Sequence, residues 1–194
     1  MVLSLGGIIA GFVIALVVIA LVVAFVKAYN KLVELRNKVK NGWSQIDVQL
    51  KRRFDLLPNL AETVKGYASH EKEIWDAFAA ARGSYTRATQ SDSVEAAAQA
   101  NQSLGQALSR LLIVQEQYPE LKANSNFQSM MAELRETEDK IQYARQFYND
   151  VVLKYNNKVE MFPSNIVAKM FNFKVAEFFE VTNADQKEAP QIKF

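Results

Sequence analysis

The chain contains a single histidine, His70, and Glu71 follows it directly. This pair begins the helix-borne zinc motif of metallopeptidases, which requires a second histidine four residues after the first. Ile74 occupies that position, so the motif fails. One histidine also cannot supply the two Glu-x-x-His units of a di-iron bundle, and the lack of cysteine excludes thiolate ligands. The sequence therefore predicts no metal site and no cofactor.

Motifs for covalent and phosphate chemistry are missing as well. The sequence has no Gly-x-Ser-x-Gly elbow for a serine nucleophile and no Gly-x-x-x-x-Gly-Lys loop for phosphate. The net charge is only +2, and no basic segment is interleaved with aromatic residues in a recognisable nucleic-acid-binding module. We therefore predict a protein that is not an enzyme and that does not bind nucleic acid.

Five polar residues fall close to the apolar stripes of predicted helices and could share a packed seam. If they are buried they must pair, because an unpaired buried charge is costly, and the simplest role is to set the register of the helices. The alternative is a pocket between helices for a small ligand or a cation. The five residues are Asp47, His70, Glu71, Glu138 and Arg145.

The element that precedes these residues is an uncharged apolar run of 22 residues from Leu5 to Val26, with Ile14 near its middle. As a helix it spans roughly 33 Å, which matches the hydrocarbon core of a bilayer. A cleaved signal peptide is the rival interpretation, but such peptides have a shorter apolar region and a basic start. We predict an uncleaved membrane anchor. Gly7 and Gly11 could let two anchors approach closely.

Basic residues directly after the anchor predict its orientation. Five of them, opposed only by Glu34, favour a cytoplasmic soluble part and an external N-terminus, although a domain after an apolar signal can also be exported. Lys27 and Lys31 are close enough to contact lipid headgroups. The basic residues are Lys27, Lys31, Arg36, Lys38 and Lys40.

A second basic cluster, Lys51, Arg52 and Arg53, lies roughly 36 Å further along a straight helix, far beyond the Debye length of about 8 Å. It cannot sense the bilayer directly. We therefore expect this cluster either to meet an acidic partner protein or to form a solvated, ion-paired helix face.

Apolar residues at spacings of three and four continue from the anchor to Leu57 and predict one long helix with coiled-coil-like periodicity. Pro58 predicts a break or kink before a second stripe that ends near Tyr85. Asp92 and Glu95 fit a capping box that starts a third helix, which ends near Tyr118-Pro119. A fourth helix begins at Asn124 or Ser125 and reaches Pro163.

The predicted fold is all-α: a transmembrane helix continuous with a long antiparallel four-helix bundle, then a short helix and a tail. The anchor covers residues 1–26, the bundle 27–162 and the C-terminal segment 163–194. Four i,i+4 ion pairs support the helices weakly. They are Glu34 with Lys38, Asp47 with Lys51, Glu136 with Lys140, and Asp150 with Lys154.

Aromatic residues crowd the C-terminal segment after a short helix near Ile166. We expect this segment to cap the open end of the bundle, and a contact with a neighbouring subunit or partner is the alternative. The residues from Asn183 onward are predicted to be flexible. The aromatic side chains available for such a contact are Phe171, Phe178 and Phe179.

Several motifs together resemble the LemA family of bacterial membrane proteins. They include the segment from Trp43 to Arg53, then Leu57-Pro58-Asn59-Leu60, Gly66-Tyr67-Ala68-Ser69-His70-Glu71, Tyr118-Pro119-Glu120-Leu121-Lys122-Ala123-Asn124, Tyr148-Asn149, Tyr155-Asn156 and Phe162-Pro163-Ser164-Asn165. The resemblance implies a single-pass anchor on a long helical bundle, and it implies no activity. Genes of the family often lie beside membrane zinc peptidases, which implies an accessory role in membrane protein quality control.

One departure from the family is Gly42, which stands before Trp43 where the family usually has alanine. Glycine weakens a helix interior, so its presence predicts a close helix crossing.

The sequence thus predicts a membrane-anchored scaffold or accessory protein of the bacterial envelope, in the inner membrane. Its expected partners are the lipid bilayer and either further copies of itself or another envelope protein, such as a membrane peptidase. The alternative function is a membrane-tethered sensor that binds a small ligand or cation through the five polar seam residues.

Overall fold

The computed structural model describes residues 5–180, and these residues form helices and connecting turns without a strand. The predicted all-α class is confirmed. The predicted flexible tail lies outside the described residues, as does the side chain of Leu5. The helices are α1 (Leu5–Ala68), α2 (Lys72–Ser91), α3 (Val94–Val114), α4 (Pro119–Ala123), α5 (Ser125–Glu160) and α6 (Ser164–Met170), with one 3₁₀ turn at Gln115–Gln117.

The N-terminal part of α1 is apolar and exposed on every side, from Ile8 to Ala24. Of the helices in the described part of the chain, α1 is the one long and apolar enough to cross a membrane. Its apolar window is not covered by the rest of the protein. A soluble helix would bury its apolar residues, so this exposure agrees with the predicted anchor.

The helix α1 continues through Pro58 to Ala68, so of the predicted break or kink the break is wrong. Proline has no amide hydrogen, so Pro58 cannot donate the helical hydrogen bond to the carbonyl of Phe54. Burial of Leu57, Leu60 and Val64 around the proline holds the helix together. The chain instead turns at residues 69–71, before α2.

The helix starts follow local capping chemistry. The side chain of Ser93, not of Asp92, caps α3 by accepting a hydrogen bond from the Ala96 amide at 3.3 Å. The predicted capping box is therefore wrong by one residue, because Asp92 adopts a left-handed conformation (φ 48°) that ends α2. The predicted start of α5 is confirmed, since Asn124 Oδ1 accepts from the Phe127 amide at 2.9 Å.

The chain divides into two compact units, and α1 and α5 each contribute to both. The first unit contains residues 5–41 and 150–176, with Leu32, Val152 and Tyr155 in its core. The second contains residues 42–149 and 177–180, in which α2 and α3 pack closely together. The second unit is the helical bundle, and its core consists of the almost fully buried Leu50, Leu60, Ile74, Leu104, Leu111, Leu134 and Ile141.

Gly42 lies at a close helix crossing within the second unit, as predicted. A Cβ atom added there would lie 3.4 Å from the Cα of Tyr148 and 3.5 Å from the Phe147 ring. The missing side chain thus lets α1 and α5 approach each other at this point.

Two of the four predicted i,i+4 ion pairs form. Glu34 pairs with Lys38 at 2.6 Å and Glu136 pairs with Lys140 at 2.6 Å. Within the described chain, Asp47 with Lys51 and Asp150 with Lys154 form no ion pair. Exposed side chains at these positions gain little from pairing and lose rotamer freedom.

Candidate functional site

Arg53 is the centre of a buried polar cluster in the second unit. Its side chain comes from α1 and is almost fully buried, with 4% of its surface exposed. Its Nη1 donates to Asn101 Oδ1 of α3 at 2.6 Å and to a carboxylate oxygen of Glu138 of α5. Three helices therefore meet at one guanidinium group, which fixes their register.

Burial lowers the pKa of Arg53, and the Glu138 carboxylate opposes that effect. The Nε atom of Arg53 is buried and has no hydrogen-bond partner. An unsatisfied buried donor costs about 1–3 kcal/mol. The predicted role of Arg53 in contacting a partner protein is wrong, because this side chain points into the bundle.

The other two residues of the basic cluster point elsewhere, because successive residues on a helix are turned by about 100°. Arg52 donates from Nε to Glu133 Oε1 at 2.8 Å, and both side chains are partly exposed. Lys51 is exposed. Only Lys51 and Arg52 thus lie where a partner can reach them.

The five polar seam residues predicted from sequence do not form one network. Asp47, His70 and Arg145 are exposed, so these three do not belong to the buried polar network that the sequence allowed. Their charge or polarity keeps them hydrated where no partner is within reach. Glu138 pairs with Arg53, and Glu71 accepts a hydrogen bond from the Tyr118 hydroxyl at 2.8 Å. That hydrogen bond raises the pKa of Tyr118.

No group of three or more His, Asp or Glu side chains capable of holding a metal ion occurs among the described residues. A sensor pocket made of the five predicted seam residues is therefore not present as such. The cluster that the structure does assemble, Arg53 with Asn101 and Glu138, was missed in part, because Arg53 belongs to a basic run that is typical of solvent-exposed helix faces.

An apolar groove runs along the outer side of the α1 and α5 pair in the second unit. Its volume is about 580 Å³. Val48, Tyr143 and Phe147 line it and are 57%, 77% and 46% exposed. The remaining wall is formed by Ser44, Gln45, Gln49, Lys140 and Ala144.

The groove was not predicted from the sequence, although a signal for it exists. Tyr143 and Phe147 are four residues apart and therefore share a helix face. Both lie off the core stripe that contains Ile141 and Tyr148. A second apolar edge on an otherwise polar helix face is a sign of a further packing surface.

Within the first unit, the segment that follows α6 packs against α1. The ring of Phe171 lies 4.7 Å from the ring of Tyr29, and the Arg36 guanidinium lies 4.9 Å over the ring of Phe173. The side chain of Asn156 binds both backbone polar groups of Ala176. Its Oδ1 accepts from the amide at 2.8 Å, and its Nδ2 donates to the carbonyl at 2.9 Å.

Within the second unit, Asn149 holds Phe179 in the same way. Its Oδ1 accepts from the Phe179 amide at 2.9 Å, and the Tyr148 hydroxyl donates to the Glu177 carbonyl at 2.8 Å. Burial, with a smaller contribution from Glu177, raises the pKa of Tyr148 to about 12. The two Tyr-Asn motifs of α5 thus serve to hold extended backbone in place.

These contacts decide which C-terminal aromatic residues can meet a partner. Phe179 is buried, and its ring lies 6.2 Å from that of Trp43. Its predicted role in partner contact is therefore wrong. Phe178 is half-buried and Phe171 is exposed, so both retain accessible surface.

At the anchor flank, Lys27 and Lys31 are both exposed. Lys31 pairs with Glu34 at 2.9 Å. The predicted headgroup contact of these two residues stays a prediction.

Comparison with known proteins shows which family has this sequence. The LemA family model matches residues 42–194, which is most of the chain. The chain belongs to the LemA family. The matched region begins at Gly42 and so contains the bundle and leaves out the apolar part of α1.

Curated relatives are identical to this chain at about a quarter of the aligned positions. Magnetosome proteins MamQ 1 and MamQ 2 of Paramagnetospirillum magneticum are each 27% identical over 175 residues, covering 78% of this chain and 64% of the relative. Protein LemA of Metamycoplasma hominis is 26% identical over 166 residues, covering 83% and 74%. The chain thus spans just under two thirds of the length of the magnetosome relatives. Together with the apolar helix, these relatives indicate a membrane-associated helical protein.

Proposed function

We propose that this LemA family protein is a non-enzymatic, single-pass membrane-anchored scaffold of the bacterial envelope that pairs with a second copy of itself. The observation that carries the proposal is the exposed apolar groove between α1 and α5. Three large apolar side chains that face solvent beside one another are costly unless another surface covers them.

The chemistry of the groove suits a second copy. Among the residues that the structure describes, Lys140 is the only charged side chain in its lining, and Glu136 pairs with it at 2.6 Å. Two copies can therefore face each other without like-charge repulsion.

The anchor also favours self-association. Both copies are held in one bilayer by the same apolar segment, which raises their effective concentration. A two-fold axis along the membrane normal keeps both anchors in the bilayer and places identical surfaces opposite each other.

Light scattering after size-exclusion of the detergent-solubilised full chain tests this proposal. We expect a dimer at micromolar concentration and a monomer for Tyr143→Glu, because a buried unpaired charge opposes docking. Ile113→Glu is the matched control, since Ile113 is 68% exposed on α3 outside the groove. A wild-type monomer, or equal effects of the two variants, contradicts the proposal.

The finer part of the proposal is supported by the family and by the residues that flank the anchor. We place the bundle in the cytoplasm, at the inner membrane, because basic residues follow the anchor. An accessory role in membrane protein quality control, with a membrane peptidase as a further partner, fits the family resemblance. Relatives named for the magnetosome support a membrane-associated role. A phosphatase reporter fused after Phe194 should be silent, and high activity contradicts this orientation.

A further inference from the structure

A second cavity lies between α3 and α5 in the second unit, beside the buried Arg53. Its volume is about 310 Å³, which is at the lower end of the range for ligand-binding cavities. One part of its wall is apolar and is formed by Leu108, Leu112, Met131 and Leu134, whereas the other part contains Arg53, Arg135 and Glu138. The cavity is therefore amphipathic.

In the polar part of this wall, the groups without a partner are hydrogen-bond donors. Nε of Arg53 is buried and unpaired, and Arg135 forms no hydrogen bond or ion pair with the residues that the structure describes. The oxygens of Asn101 and Glu138 already accept from Arg53. Ser109 Oγ donates to the Gly105 carbonyl at 2.9 Å, so it has no proton to offer. Among the described groups of the wall, the polar groups left without a partner are therefore the donors of Arg53 and Arg135, and a ligand that carries an acceptor can satisfy them.

The charge of the wall points to the same class of ligand. Two arginines oppose one glutamate, so the net lining charge is +1. Glu138 is neutralised by Arg53, which leaves the charge of Arg135 uncompensated. Guanidinium groups bind carboxylates through paired, charge-assisted hydrogen bonds.

We propose that this cavity binds a small amphiphilic carboxylate, such as a medium-chain fatty acid. The carboxylate lies at Arg135 and accepts from Arg53, and the hydrocarbon chain lies among Leu108, Leu112 and Met131. The polar residues of the site differ from the predicted sensor set except for Glu138. The site also lies on another seam than the groove between α1 and α5, so this proposal does not rest on self-association.

Gly105 gives direct experimental access to the cavity. It lines the wall, and a Cβ atom added to it meets no other atom within 4 Å. Gly105→Leu therefore fills space in the cavity without forcing the helices apart. Gly83→Leu is a matched control, because Gly83 lies on α2 away from the cavity and a Cβ atom there also meets nothing within 4 Å.

The test is calorimetric titration of octanoate into the full chain in lipid nanodiscs, with empty nanodiscs as the blank. We expect saturable binding of one octanoate per chain, and at least about tenfold weaker binding of octan-1-ol, octylamine and inorganic phosphate. Gly105→Leu and Arg135→Gln should each weaken octanoate binding by about tenfold or more. Gly83→Leu and Tyr143→Glu should bind octanoate as the wild type does.

Circular dichroism melts establish that the variants are folded, so a loss of binding can be assigned to the cavity. Absence of saturable octanoate binding to the folded wild type overturns the proposal. If octan-1-ol binds as tightly as octanoate, the cavity does not recognise the carboxylate. If phosphate binds more tightly than octanoate, the apolar wall does not contribute to binding. If Gly105→Leu binds octanoate as the wild type does, the site is not in this cavity.

Discussion

At the residue scale, the most constrained group of the bundle is the guanidinium of Arg53. A buried charge persists only where a partner offsets its lost hydration, and Glu138 with Asn101 provides this. Arg52, its neighbour in sequence, makes a superficially similar pair with Glu133 in solvent. The two pairs have the same chemistry and differ in burial, so they allow a direct comparison.

We expect Glu138→Gln to lower the free energy of unfolding by about 3 kcal/mol, because it leaves a buried guanidinium without a counter-charge. Glu133→Gln should cost less than about 1 kcal/mol, since its pair is screened by water. Urea unfolding of the solubilised chain, followed by circular dichroism, measures both. Similar losses for the two variants would show that Arg53 does not depend on Glu138.

Tyr148 makes the stability of the folded protein depend on pH in the alkaline range. Burial raises its pKa from the ordinary tyrosine value of 10 to about 12, so the folded protein holds this proton more tightly than the unfolded chain. The resulting stabilisation is complete below about pH 10 and is lost as the pH rises towards 12. We expect the urea midpoint to fall less steeply over this interval in Tyr148→Phe than in the wild type. Tyr143→Phe, at an exposed position, should retain the wild-type slope, and equal slopes in all three proteins contradict the assignment.

At the element scale, the crossing of α1 and α5 depends on the size of residue 42. Alanine fits there with ordinary contact distances and favours the helix, so Gly42→Ala should raise stability by up to about 1 kcal/mol. Gly42→Leu should lower it by about 1–3 kcal/mol, because the larger side chain meets Tyr148 and Phe147. Gly66→Leu is the control, since a Cβ atom there meets nothing within 4 Å. Thermal melts in detergent compare them, and tolerance of Gly42→Leu contradicts a close crossing.

The extended segment after α6 depends on side-chain amides, because no strand of the described chain pairs with it. Asn156→Ala removes both hydrogen bonds to Ala176 and should loosen the segment by about 1–3 kcal/mol. Limited trypsin digestion should then cut faster after Lys174. Asn157→Ala is the control, because Asn157 is exposed. An unchanged cleavage rate in Asn156→Ala would show that the aromatic contacts alone hold the segment.

The helices themselves were largely predictable, since apolar spacing and caps act locally. The start of α5 at Asn124 and the end before Pro163 follow from such signals. Pro58 misled the prediction because burial of Leu57 and Leu60 outweighs one missing hydrogen bond, and such burial depends on other helices. The same reason explains why the burial of Arg53 could not be predicted from its own segment.

At the scale of the whole molecule, the apolar N-terminal helix and the all-α class follow from composition and periodicity. The surfaces that carry the proposed function do not, because Val48 and Tyr143 are far apart in sequence and only packing makes them neighbours. A sequence pattern can indicate a second apolar edge on one helix, whereas the pairing of that edge with a residue of another helix is seen only after the helices are assembled.

Oxidative cross-linking in native membranes tests self-association most directly, because the chain has no cysteine of its own. Ser44→Cys places a thiol in the wall of the groove, and Ser69→Cys places one on an exposed turn outside it. We expect a disulfide-linked dimer for Ser44→Cys that disappears when Tyr143→Glu is added, and little dimer for Ser69→Cys. Equal cross-linking at both positions, or a Ser44→Cys dimer that Tyr143→Glu does not reduce, contradicts pairing through the groove.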